Sequence, residues 1–92
     1  MPRLNEDEIA GRLGELSDWR REGEAIARDF ELRDFAGSID FVNRIAPVAE
    51  EMNHHPDLAI SWSQVTVTLS THSEGGLTVS DFELARRIDA LA

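Results

Sequence analysis

The side chains able to move protons near neutral pH are concentrated in the second half of this sequence. Its three histidines are His54, His55 and His72, and imidazole is the group whose ordinary titration range lies nearest pH 7. Glu50 stands four residues before His54, the spacing of one helical turn, so its carboxylate can meet that ring and favour the charged form. Asp81 is a second candidate carboxylate, as apt for capping a helix as for touching a substrate. Cys, Lys and Tyr are absent, which excludes thiolate nucleophiles, Schiff bases and phenolic acids and leaves acid and base work to His, Asp and Glu.

Three other readings of these residues are weaker. Glu50, His54 and His72 make a conceivable metal set. However, neighbouring helical residues point about 100° apart, so His54 and His55 cannot both ligate one ion unless the helix has already ended. Ser70, Thr71 and Ser73 flank His72, yet no Gly-x-Ser-x-Gly elbow is present to expose a hydroxyl. A single histidine near a helix C-terminus is commonly a surface residue that meets the helix dipole, and three within one stretch weigh against that explanation.

These residues need rigid elements to position them. Asn5 with Glu8 three residues on forms a capping-box pattern, with Leu4 and Ile9 at staple positions, so a first helix begins there. From Trp19 to Leu32 the alternation predicts a hairpin turning near Glu22, Gly23 and Glu24, with Arg28 interrupting the apolar face as it would near an edge. Asp34 caps a second helix running to about Asn53. Phe35, Ile39, Val42, Ala46 and Ala49 form one flank of that helix, and Phe41, Ile45, Val48 and Met52 form another. So wide an apolar circumference predicts burial on two sides, one against a sheet and one against a second subunit. Pro47 should kink this helix or break it at Ala46. After Pro56, Leu58, Ile60 and Trp62 share one face, Ser63 and Gln64 turn, and Val65, Val67 and Leu69 continue, with His72 at the end of that last strand. Trp62 reads as core or as pocket lining. The last helix starts at Thr78 with Asp81 at its third position, or at Ser80 with Glu83 there. The order α-β-β-α-β-β-α predicts an α+β fold, a four-stranded antiparallel sheet with helices on one face.

Composition bounds the function. Ninety-two residues, 41% hydrophobic and 29% charged, are expected to form one domain over 1–92, with no membrane span and no signal peptide. The formal net charge is −9, and every cation is Arg. Between Arg44 and Arg86 no Arg or Lys occurs, while Glu50, Glu51, Asp57, Glu74, Asp81 and Glu83 do, so a site there repels phosphates and nucleic acid is excluded as a partner. Without cysteine the chain has no disulfide framework, and a cytoplasmic location is expected.

The run Glu50-Glu51-Met52-Asn53-His54-His55-Pro56, followed by Trp62, by Ser70-Thr71-His72 and by Asp81, resembles the pterin-4a-carbinolamine dehydratase family. The specific part is the composite: an acid four residues before the His pair, an aromatic six after the Pro, a Ser-Thr-His at the next strand's end, and an Asp nine later. The likeness spans nearly the whole chain. It implies the fold already read from the pattern, assembly as a homodimer or homotetramer, and no cofactor or metal. It also implies dehydration of 4a-hydroxytetrahydrobiopterin, the carbinolamine left by aromatic amino acid hydroxylases, to quinonoid dihydropterin, which suggests a functional link to such a hydroxylase. On this resemblance His54 and His72 transfer protons, with acid and base left open between them, and His55 binds and polarises the substrate. Glu50 orients the first His, and Pro56, Asp57, Ser70, Thr71 and Asp81 complete the substrate site. Asn53, Leu58 and Ser80 stand where the family commonly carries Asp, Trp and Arg, departures that bear on pocket shape more than on reaction type. The alternative implied function is an interaction module, since animal members also serve as dimerisation cofactors of a homeodomain transcription factor. That role predicts an exposed apolar face on the 34–53 helix.

Overall fold

Local capping decides where each helix begins. In the computed structural model, which describes residues 2–92, the first helix α1 spans Glu6–Leu13, with the Asn5 side chain accepting from the Glu8 N–H and the Glu8 side chain accepting from the Asn5 N–H. Leu4 and Ile9 are both buried as a staple. Helix α2 spans Phe35–Met52 behind the Asp34 cap, and α3 spans Val79–Asp89 behind Thr78. The ambiguity in the last cap is thus settled in favour of Thr78 with Asp81 as its third residue.

Strands β1 (Arg20–Glu22) and β2 (Ala25–Glu31) pair around a Gly23–Glu24 turn, with Gly23 at φ 61. Strands β3 (Asp57–Ser61) and β4 (Gln64–Leu69) pair around Trp62–Ser63. All pairings are antiparallel, and the sheet order is β1-β2-β4-β3. The chain therefore has the expected α+β architecture, one four-stranded sheet with helices on one face. On that face Ile26, Phe30, Val65, Val67 and Leu69 meet Phe41, Ile45, Leu84 and Ile88, all buried. The opposite face carries Asp29, Glu31, Thr66 and Thr68 instead.

Four local expectations are corrected. Arg28 is not near an edge, because β2 is a central strand. Its guanidinium lies 4.2 Å over the Phe30 ring and pairs with Asp89 at 2.8 Å, which lets a cation share the core face. Pro47 does not break α2, which runs continuously past it. The proline sits on the exposed side, where the carbonyl one turn back can bond to water. Trp62 is neither core nor strand: it is 73% exposed at the hairpin tip with φ 53, since the two-residue turn starts one position earlier than the alternation suggests. His72 does not end a strand either, because β4 stops at Leu69.

The two flanks of α2 also separate. Phe41 and Ile45 of one flank are buried, whereas on the other Phe35, Ile39 and Ala46 are exposed and Ala49, at the helix end, is buried. Every residue of the edge strand β3 is exposed as well, including Leu58 and Ile60. Among the described residues no helix is long and apolar enough to cross a membrane.

Candidate active site

The site is organised by two helix ends. Helix α2 stops because Asn53 takes the left-handed conformation (φ 50, ψ 43), which Asn tolerates better than other residues with a Cβ. The Asn53 N–H then donates to the Glu50 carbonyl at 3.1 Å and the His54 N–H to the Ala49 carbonyl at 3.0 Å, the Schellman pattern that reverses the chain. That reversal gives His54 and His55 different surroundings.

His54 turns inward. Its Nε2 lies 2.6 Å from Asp81 Oδ1, the ring is 13% exposed, and the carboxylate is fully buried. Asp81 is there because of the capping box at the start of α3: its Oδ2 accepts the Thr78 N–H at 2.9 Å. The same oxygen accepts the Thr71 hydroxyl at 2.8 Å, and the Thr71 and Thr78 hydroxyls lie 2.9 Å apart. A buried carboxylate is tolerated only when its oxygens are satisfied, and here a hydroxyl and a peptide N–H donate to one oxygen while a ring nitrogen of His54 meets the other.

His55 turns outward. Its Nε2 lies 2.5 Å from Glu50 Oε2, and both side chains are exposed. The anticipated pair between Glu50 and His54 does not form, because the chain has left the helix at Asn53 and His54 no longer shares Glu50's helical face. His55, Glu50 and Pro56 line a groove of about 330 Å³ with Val42, Ile45, Ala46, Ala49 and Leu58. A cavity of that size suits a small molecule, and its lining contains no Arg or Lys.

His72 lies outside the groove lining, on a separate turn after β4. Thr71 forms an isolated bridge with Gly76, and His72–Glu74 make one 3-10 turn closed by Gly75 at φ 69, leaving His72 exposed. Thr71 is the joint of the arrangement, since its hydroxyl reaches Asp81 behind His54 while its peptide carries His72. Ser70 faces away, donating to the Glu24 carbonyl at 2.7 Å. Asp57 begins β3 opposite Thr68, exposed.

Two contributors have little or no signature in the sequence. Thr78 holds Asp81 through its N–H, and the only sign was its place as one of two possible caps. An Arg3–Glu24 ion pair at 2.9 Å closes over Gly76. A Cβ there would come within 2.6 Å of Glu24 Oε2 and 2.8 Å of Arg3 Nε, so a larger residue would push these two exposed side-chain ends aside. Among the described residues no group of three His, Asp or Glu side chains is arranged to hold a metal ion.

A family model described as Pterin 4 alpha carbinolamine dehydratase matches residues 2–91. Proteins of Sulfolobus acidocaldarius and Nocardia farcinica, each carrying the provisional name pterin-4-alpha-carbinolamine dehydratase, are similar. The first is 46% identical over 97% of this chain and 98% of its own, and the second 49% identical over 97% and 94%. Among solved structures, one described as a transcriptional coactivator/pterin dehydratase from Brucella melitensis superposes with a TM-score of 0.93, at 39% identity over 98% of each chain. Another, described as a pterin dehydratase-like protein acting as a RuBisCO assembly factor in the alpha-carboxysome, superposes with a TM-score of 0.70 at 27% identity, covering 82% of this chain and 89% of its own.

Proposed function

Because the chain belongs to the pterin-4a-carbinolamine dehydratase family, we propose that it dehydrates 4a-hydroxytetrahydrobiopterin to quinonoid dihydrobiopterin and water, as a cytoplasmic hydro-lyase of tetrahydrobiopterin recycling. The observation that carries this reading is the His54 ring, held by a fully buried carboxylate at 2.6 Å and joined through Thr71 to the backbone of His72. The chemistry asks for little else. The C4a–O bond breaks as the neighbouring ring nitrogen's electron pair forms C=N, a proton goes to the leaving hydroxyl to make water, and the ring N–H proton goes to a base. Two imidazoles, one protonated and one neutral, supply both transfers near pH 7. His55, oriented by Glu50 on the groove wall, contacts the heterocycle. Pro56 shapes the same wall.

The test is stopped-flow loss of the carbinolamine absorbance. Replacing His54 or His72 with Ala should slow the reaction about 10²- to 10⁴-fold each, the usual worth of a positioned acid or base. Unchanged rates in both variants would remove the assignment.

The unit is proposed to be a homodimer or homotetramer. An edge strand exposed at all five residues, Leu58 and Ile60 among them, is a template for a second copy of this chain, and Phe35, Ile39 and Trp62 are further exposed apolar side chains. The same exposed face is the one observation favouring a non-catalytic interaction module. That reading requires His replacements to leave partner binding intact.

A further inference from the structure

The direction of the hydrogen bonds behind His54 decides which of its two ring nitrogens is free. The Thr78 N–H is a backbone donor and cannot be reversed, so Asp81 Oδ2 accepts from it. The Thr71 hydroxyl donates to the same oxygen, and the Thr78 hydroxyl, which accepts the Ser80 N–H at 3.3 Å, completes the chain by donating to Thr71. Every proton in this chain points toward the carboxylate, which offers only acceptors. Asp81 Oδ1 therefore takes a hydrogen bond from His54, and the proton sits on Nε2. Among the described residues no buried side-chain nitrogen or oxygen lacks a partner, and no described residue bonds Nδ1, so Nδ1 is open to solvent or ligand.

We propose that the Thr78–Thr71–Asp81 chain locks His54 in the Nε2–H tautomer, which makes Nδ1 the atom that accepts the substrate's ring proton and makes His54 the base of the pair. Asp81 and Thr71 are positioning residues: they act through His54. The proton taken at Nδ1 produces an imidazolium already facing a buried carboxylate, and exposed His72 is left to protonate the departing hydroxyl. The catalytic part of this inference rests on the proposed dehydration, whereas the tautomer does not.

Asp81→Asn is the decisive variant. The fixed Thr78 N–H holds the amide's oxygen at the Oδ2 position, which aims the amide's NH₂ at His54 Nε2, turns that nitrogen into an acceptor and moves the ring proton to Nδ1. Long-range ¹H–¹⁵N correlation spectra above the histidine titration range distinguish the two tautomers, with the His54 signals identified by their loss in His54→Gln. Wild type should show protonated Nε2 and bare Nδ1, Asp81→Asn the reverse, with kcat falling about 10²-fold or more and KM changing far less. Thr71→Val should keep the tautomer and lower kcat about tenfold or less, since one of three donors is gone, and Thr71→Ser should restore it. A bare Nε2 in the wild type overturns the proposal whether or not Asp81→Asn folds, as does an unchanged tautomer in a folded Asp81→Asn. The expected spectra in a wild type that does not dehydrate the carbinolamine would sustain the tautomer and refute the proposed reaction, so the two failures are distinct.

Discussion

His54 and His55 are neighbours in the chain that belong to two different regions. Behind His54 every polar group is paired within the chain: the ring meets a fully buried carboxylate, which meets a hydroxyl and a peptide N–H. On the His55 side the ring's one hydrogen-bond partner among the described residues is an exposed Glu50, and the groove it lines is walled by α2 and by Leu58 of β3. The difference teaches that one region is finished by the chain itself, while the other offers apolar surface that only another molecule can cover. Geometry fine enough for proton transfer belongs in the first, since a buried network holds its members in one arrangement and a solvated pair does not.

The sharpest way to break that contrast is to remove one carboxylate from each region. Asp81→Ala leaves a ring N–H, a hydroxyl and a peptide N–H without their acceptor and should cost about 3 kcal/mol in urea unfolding. Glu50→Ala, which opens an exposed pair, should cost less than about 1 kcal/mol. Equal costs would mean that the two histidines are not held differently. Next in size, Ile60→Arg puts a charge on the exposed edge strand. Sedimentation should show the assembly falling to monomer, while the monomer's own stability changes by less than about 1 kcal/mol. A monomeric wild type would instead leave that face without a second copy. Smaller still is Trp62→Asn. Its left-handed φ strains a bulky residue that buries little in the monomer, so the dilute protein should gain about 0.5–1 kcal/mol.

The smallest effect contrasts a surface carboxylate with Asp81. Asp29 is held below the ordinary carboxylate range first by the Thr66 hydroxyl and then by Arg20. A depressed carboxyl contributes stability above its unfolded value and loses it as pH falls through the lower, folded one. Asp29→Asn should therefore lower stability slightly near neutrality and flatten the acid limb, the two curves converging as pH falls below the folded value, as followed by urea midpoints across pH. A difference largest in acid and absent near neutrality would reverse the sign of this argument.

Much of the architecture was legible because its signals are local. The Asn5–Glu8 box, the Asp34 cap and the turn at Gly23 each act over a few residues, and the apolar spacing of α2 marked two flanks, of which Phe41 and Ile45 are buried. Periodicity failed where a turn shifted by one position, sending Trp62 from an inward row to an exposed tip. Spacing failed again at the end of α2, where Glu50 and His54 share a helical turn on paper but not once Asn53 has reversed the chain.

By itself, then, the sequence determined the element order, the caps of the first two helices, the exclusion of thiolate, amine and phenol chemistry, and the set of three imidazoles with carboxylates nearby. Only the tertiary structure decided that Asp81 belongs to His54 and Glu50 to His55, that Thr71 joins two histidines, and which face of α2 stays uncovered. The reason is physical: caps and periodicity arise between residues a few positions apart, whereas partners such as His54 and Asp81 are chosen by how packed elements approach, a matter on which spacing along the chain is silent.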